Sequence, residues 1–361
     1  MRFTVVFIFL CLGIRAQSSD SLIHEIMQVA SDTERVNLLY KTGFDLRNTD
    51  PAHAYRLARA CEHEALLSNS KKHLAKSYNL LGILFYKRSD YTKALQYHRR
   101  ALQLREEIQD KLGIAISETN LGNIYTDLLY FRLAENSYLD ALKQYKELDN
   151  TLQTAKCLIN LGVLKHEQKQ NIPAIHNFKE ALKLGNSIGD YEILAICNSN
   201  IGELMAEQGL LDTALLYTEE GLKMRNMLDN EVEVADSYLN MAHIFTLQKR
   251  YSEAENYLGL AEKIAHDYDY TQARLILYKL KAELYHDTKN PDKAYLYLQK
   301  HYSLKDSLQN LEKETMVLLD EETPETTYET GHAKPAGNTW LLISCIACLF
   351  LVPFILFRYK R

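Results

Sequence analysis

A histidine beside a glutamate is the first arrangement in this sequence that could do chemistry. With a second histidine one turn further on, such a pair holds zinc next to a general base. His24-Glu25, His63-Glu64 and His166-Glu167 each lack that second histidine. Cys345 and Cys348 have the spacing of a metal-binding pair, but no partner pair completes a site and both fall in a long apolar run. The carboxylates of Glu106-Glu107 and Glu219-Glu220 occupy adjacent helix positions, which point apart, so neither pair can share acid and base roles. The sequence contains no Gly-x-Ser-x-Gly, P-loop or dinucleotide fingerprint. It therefore predicts a non-enzymatic protein with no catalytic residue, cofactor or metal.

What remains is the chemistry of recognition. Asn120, Asn160, Asn200 and Asn240 recur every 40 residues. An amide side chain both donates and accepts, which suits it to a bound peptide backbone or to a neighbouring helix. Two residues after each asparagine comes a small residue, in the series Gly82, Gly122, Gly162, Gly202, Ala242, Ala282. Glycine inside a helix costs about 1 kcal/mol relative to alanine, so a close packing contact must offset it. Further along each period stand Ala94, Ala134, Ala174, Ala214, Ala254 and Ala294, then Ala101, Ala141, Ala181, Gly221 and Ala261. Two amphipathic helices per period, in contact through small residues, explain these columns. Turn chemistry falls between periods at Asp110, Asp149-Asn150, Asp190, Asp229-Asn230 and Asp269. Cys61, Cys157 and Cys197 sit in small-residue columns and read as buried free thiols.

Leu121-Gly122 with Tyr125 three residues on and two alanines downstream resembles the tetratricopeptide repeat. The usual period is about 34 residues, so the extra length is expected in the helices. The aromatic column holds Phe85, Tyr125, Phe245 and Tyr285, with Lys165 and Met205 interrupting it. The resemblance implies an all-α superhelix (α-solenoid) of about seven 40-residue helix-turn-helix repeats. It also implies a concave groove lined by the first helix of each repeat, at positions three before and one after the small residue. On that basis the groove residues are Asn79, Asn123, Glu203, His243 and Glu283, together with Asn120, Asn160, Asn200 and Asn240 if that column faces a ligand. The lysine and asparagine pattern that clamps a C-terminal carboxylate in some chaperone-binding members is absent. Acids at Glu167, Glu203, Glu207, Glu283 and Asp287 favour a neutral or basic ligand in the C-terminal half.

Both ends read as targeting or anchoring segments. Residues 1–16 carry Arg2, an apolar run and Ala16 before Gln17, the pattern of a signal peptide. Residues 340–357 are uncharged and apolar, about 27 Å long as a helix, opening on Trp340 and followed by Arg358, Lys360 and Arg361: a single transmembrane helix with the body outside the cytoplasm. Between them the sequence predicts an N-terminal cap over 17–33, the array over 34–308, a capping helix over 309–320, a Pro- and Gly-containing linker over 321–339, and a cytoplasmic tail over 358–361. The chain's net charge is −5, and its two ends hold only basic charges, which leaves the body acidic and disfavours nucleic acid. From residue 20 to 357, "DSLIHEIMQVASDTERVNLL" and "YSLKDSLQNLEKE" included, the chain is similar to the exported sensory portion of bacterial envelope proteins, in which a histidine kinase or LuxR-type helix-turn-helix domain usually follows the membrane. The expectation is a membrane-anchored periplasmic scaffold at the bacterial inner membrane, binding a protein or peptide. The alternative is the ligand-sensing half of a signal-transduction system whose output domain is truncated or supplied in trans.

Overall fold

The computed structural model describes residues 19–28, 31–228 and 231–322, and among them the chain forms fifteen helices and no strand. In chain order these are α1 (Ser19–Met27), α2 (Asp32–Leu46), α3 (Pro51–Leu67), α4 (Lys71–Lys87), α5 (Tyr91–Glu107), α6 (Lys111–Asp127), α7 (Phe131–Glu147) and α8 (Thr151–Glu167). They continue as α9 (Asn171–Ile188), α10 (Tyr191–Glu207), α11 (Leu211–Met227), α12 (Glu231–Leu247), α13 (Tyr251–Asp267), α14 (Thr271–Asp287) and α15 (Pro291–Glu322). After α1, even-numbered helices open a repeat and odd-numbered helices close it. The 40-residue period is filled by helices of 17 residues and three-residue turns, so the added length does lie in the helices.

From α3 onward the described turns follow one backbone plan. The middle residue is left-handed, as at Ser89 (φ 59°), Leu129 (φ 60°) and Lys169 (φ 60°). The N–H groups that follow the helix then turn back onto its last carbonyls: Ser89 N to Tyr86 O at 2.9 Å and Asp90 N to Phe85 O at 3.0 Å. The third residue caps the next helix, and the Asp90, Asp110, Asn150 and Asp190 side chains each accept the N–H three residues on. Only Gly189 and Gly209 supply glycine at the left-handed position. Elsewhere a side chain bears a strain of about 1–2 kcal/mol, which the packing of the two joined helices offsets.

The small-residue column is explained by what faces it. A Cβ on Gly82, Gly122, Gly162 or Gly202 would lie 2.6–2.7 Å from the side chain of His98, Tyr138, Phe178 or Thr218, each 16 residues later on the second helix of the same repeat. Where the small residue is Ala242, position 258 is leucine; in the first repeat the buried glycine is Gly43, where a Cβ would lie 3.3 Å from Leu57 Cβ. Large and small trade places across the contact, so the volume of each pair stays within what one helix-helix interface accommodates. The buried side chains of successive repeats then merge into continuous apolar clusters, the largest running from Ala115 to Leu204.

The ends are closed differently. On α1, Leu22 and Ile26 pack against Val36, Leu39, Leu57 and Cys61, which makes α1 the expected N-terminal cap. At the other end no separate capping helix exists over 309–320; α15 runs unbroken for 32 residues to Glu322. The triplet Leu308-Gln309-Asn310 has the same character as the turn Ile108-Gln109-Asp110. Among the described residues no helix is long and apolar enough to cross a membrane. The signal segment 1–16, the linker beyond residue 322, the apolar run 340–357 and the tail 358–361 lie outside the described residues.

Candidate functional site: the inner surface of the array

Successive first helices touch one another along the array, whereas each second helix packs on the first helices beside it. The first helices therefore crowd onto one surface, the inner one, and their half-exposed residues line it. Asn120, Asn160, Asn200 and Asn240 are all half-buried on this surface, on four consecutive first helices.

The asparagines do two different jobs. Asn120 Nδ2 donates to Asn79 Oδ1 at 2.9 Å, joining α6 to α4. Asn160 Nδ2 donates to Asn123 Oδ1 at 3.3 Å, joining α8 to α6, and the same oxygen accepts the Tyr138 hydroxyl at 2.7 Å. Asn200 instead donates to the Ile196 carbonyl of its own helix at 2.8 Å. Among the described residues Asn240 makes no side-chain hydrogen bond, so its whole amide remains available, as do the oxygens of Asn160 and Asn200.

The other expected groove residues divide by position. One residue after the small position, Glu203 is exposed, while His243 and Glu283 are half-buried. The Nδ1 of His243 is shielded from solvent and has no hydrogen-bond partner, and Glu283 lies 3.9 Å from Lys279. Three residues before the small position the column divides: Asn79, Ile159, Ser199 and Leu239 are buried beneath the surface, Thr119 is half-buried and Lys279 is exposed. That position turns toward the end of the second helix, where the Thr119 and Tyr145 hydroxyls meet at 3.3 Å and Ser199 Oγ accepts Arg225 Nη1 at 2.8 Å. Asn79 thus reaches the surface through its bond to Asn120.

Charge is distributed unevenly along the inner surface. Lys76 and Lys87 stand on α4, whereas Asp127, Glu167, Glu203, Glu207 and Asp287 are exposed on later first helices. His166 Nε2 and Glu207 Oε2 lie 2.9 Å apart across neighbouring repeats. The pairs that could suggest chemistry have structural partners instead: Glu64 accepts Arg35 Nε at 2.9 Å, and His24 lies 3.4 Å from Gln28. No group of three His, Cys, Asp or Glu converges as a metal site among the described residues.

Three buried polar residues were not singled out by the sequence pattern. Arg105 Nη1 donates to Ser117 Oγ at 2.7 Å and to the Gly113 carbonyl at 2.8 Å, and Arg225 Nη1 donates to Ser237 Oγ at 2.5 Å. Gly113 leaves room for the Arg105 stem, since a Cβ there would lie 2.8 Å from Arg105 Cδ. The signal was present: in both cases an arginine precedes a repeat that carries serine, not cysteine, five residues before its small position. His98, packed over Gly82, is the third, and burial depresses its pKa to about 3. Burial also pushes the Cys61, Cys157 and Cys197 thiols up to about 12, so all three are buried, protonated free cysteines.

Helix pairs of constant length, a small residue in each first helix and a shared inner surface define a repeat protein of the tetratricopeptide type. Residues 82–317 match the family described as the MalT-like TPR region, and the chain belongs to that family. Comparison with curated protein sequences gives no match. Among solved structures the array is similar to a Rap protein complexed with competence and sporulation factor (TM-score 0.62, 14% identity, 81% of this chain and 80% of that one). It is also similar to the apo form of the quorum sensor NprR from B. thuringiensis (TM-score 0.56, 16% identity, 79% and 92%). A third likeness is to the Rap conjugation gene regulator of plasmid pLS20 in complex with the Phr* peptide (TM-score 0.53, 14% identity, 76% and 96%). At these identities the likeness is one of fold.

Proposed function

We propose that this protein is a non-enzymatic binding scaffold that holds an extended peptide, or an extended segment of a protein, on the inner surface of its repeats. The observation that carries this reading is the run of half-exposed asparagines on four consecutive first helices, with hydrogen-bonding capacity left at Asn160, Asn200 and Asn240. A peptide main chain offers alternating donors and acceptors, and an amide side chain can answer both. Of the fold's neighbours, one Rap protein is complexed with a factor and another with a peptide, which supports a binding role for the repeats here. The reading includes export through residues 1–16 and anchoring through residues 340–357, which would hold the ligand near the bacterial inner membrane. A second reading, the sensing half of a signalling system with its output supplied by another chain, is favoured by the likeness to the quorum sensor NprR.

The test uses the full chain in its native membrane with a photocrosslinking amino acid at Val163 on the inner surface or at Leu216, which is exposed on the second helix α11. Crosslinks to a polypeptide from Val163 and not from Leu216 are expected. Equal labelling from both positions would refute groove binding.

A further inference from the structure

A cavity of about 350 Å³ opens between the second helices α7 and α9, with α8 as its floor. Pockets that hold small molecules begin at about 300 Å³. Lys146 of α7 and Asp149 of the turn after it form one wall, Glu180 and Lys183 of α9 the other, and Thr154 and Leu158 of α8 lie between them. Thr154 precedes Val163 of the inner surface by nine residues, about two and a half helical turns, so the cavity lies on the opposite side of α8 from that surface. We propose that it is a second ligand site, separate from the peptide groove, and that it takes a free α-amino acid with an apolar side chain.

This repeat departs from the others in two columns that border the cavity. Thr154 stands where other first helices carry Leu74, Ile114, Leu194 and Val234, and Leu158 stands where three of them carry Tyr78, Tyr238 and Tyr278. Smaller side chains leave the space open. The exchange of an aliphatic residue for threonine also buries a hydroxyl: Thr154 is 6% exposed, and its side chain makes no hydrogen bond among the described residues. Thr119, Thr126, Thr218, Thr246 and Thr288, by contrast, each donate to the carbonyl four residues earlier at 2.8–2.9 Å. A buried hydroxyl without a partner is costly, and a ligand in the cavity removes that cost. The rim carries both signs of charge. Lys146, Asp149, Glu180 and Lys183 are exposed, no two of them lie within ion-pair distance, and only Glu180 has another partner, His176 at 3.7 Å. A cation and an anion on each wall match a molecule that carries both charges a few bonds apart, the ammonium and carboxylate of an α-amino acid. Leu158 and Leu184 supply apolar lining for its side chain, and the Thr154 hydroxyl is placed to donate to the carboxylate.

Equilibrium dialysis of the detergent-solubilised full chain against radiolabelled L-leucine, and in turn L-valine and L-phenylalanine, tests the site. Saturable binding of at least one is expected. Unlabelled N-acetyl derivative, which lacks the ammonium, and unlabelled amide, which lacks the carboxylate, should each compete about ten-fold or more less well than the parent amino acid, since each loses a charge-assisted hydrogen bond. Leu158→Tyr, which restores the residue of three other repeats, should fill the cavity and abolish binding. Thr154→Val, which copies Val234, keeps the volume and removes the hydroxyl, so affinity should fall several-fold, up to about ten-fold. Circular dichroism shows whether each variant folds, and the Thr154→Val result decides if Leu158→Tyr does not. Binding of none of the three amino acids, equal competition by the two derivatives, or unchanged affinity in either folded variant overturns the site. The asparagine surface is untouched by these changes, so the peptide-groove reading stands or falls on its own crosslinking test.

Discussion

Replacing Gly162 by alanine tests the packing rule of the array at a single atom. The added Cβ would meet the Phe178 ring at 2.6 Å (Cε1), 2.8 Å (Cδ1) and 2.8 Å (Cζ), and that ring is fully buried. Alanine gains about 1 kcal/mol of helix propensity, while overpacking a core typically costs about 1–3 kcal/mol. A ring with no free side to move toward belongs at the upper end, so the expected outcome is a net loss of about 1–2 kcal/mol. Phe178→Leu alone leaves a void opposite the glycine and also destabilises. Together the two changes recreate the Ala242–Leu258 pair found at the same positions two repeats later. The double variant should therefore recover most of the loss, with a coupling energy of about 1–2 kcal/mol. Urea unfolding followed by far-ultraviolet circular dichroism on the four members of the cycle supplies the numbers. A stabilised Gly162→Ala, or strictly additive changes, would refute the size-exchange argument.

Other consequences follow from buried groups and turns. His98 takes up a proton at about pH 3 in the folded state and near 6.5 in the unfolded chain. Stability is thus complete above pH 6.5 and falls as the pH drops toward 3, by up to about 1.4 kcal/mol per pH unit. His98→Phe, which copies the Phe178–Gly162 contact, should flatten that part of the urea-midpoint profile between pH 7 and 4.5; a profile superimposable on the parent's would show that His98 does not titrate this way. The thiols of Cys61, Cys157 and Cys197 should resist a thiol reagent at pH 8 until urea unfolds the repeats, and rapid labelling of any of them in the native state would contradict their burial. Leu129, 64% exposed at φ 60°, should tolerate glycine with a gain of up to about 1 kcal/mol, read as a rise in the thermal midpoint; a fall would mean that the leucine side chain contributes packing.

The repeat was legible because its period, its small residues and its capping Asp and Asn side chains are local signals that recur. Helix lengths followed directly, since six extra residues without turn chemistry could only extend helices. The turns were less visible: Ser89, Gln109 and Lys249 carry no glycine signal, and their left-handed conformation is imposed by the helices they join. The end of α15 shows the reverse case, a turn-like triplet, Leu308-Gln309-Asn310, that lies inside a helix. Within the candidate site the asparagine column could be read, but its division could not. Whether Asn120 reaches Asn79, or Asn200 bonds its own helix, depends on the residues opposite, which period alone does not reveal. Burial of Asn79, Ile159, Ser199 and Leu239, and the Arg225 side chain that reaches from a second helix to Ser199, are likewise set by inter-helix geometry.

The central claim is that the inner surface binds a peptide through the asparagines whose capacity the fold leaves free. Two double variants measured side by side, Asn200→Ala with Asn240→Ala and Asn120→Ala with Asn160→Ala, test it most directly, by heptapeptide retention and by urea midpoint on the same samples. Asn200 and Asn240 make no bond to another helix, so losing both should cut retention about ten-fold with the midpoint unchanged. Loss of Asn120 and Asn160 should lower the midpoint by breaking the links between first helices. Unchanged retention in the Asn200 and Asn240 variant would contradict the account.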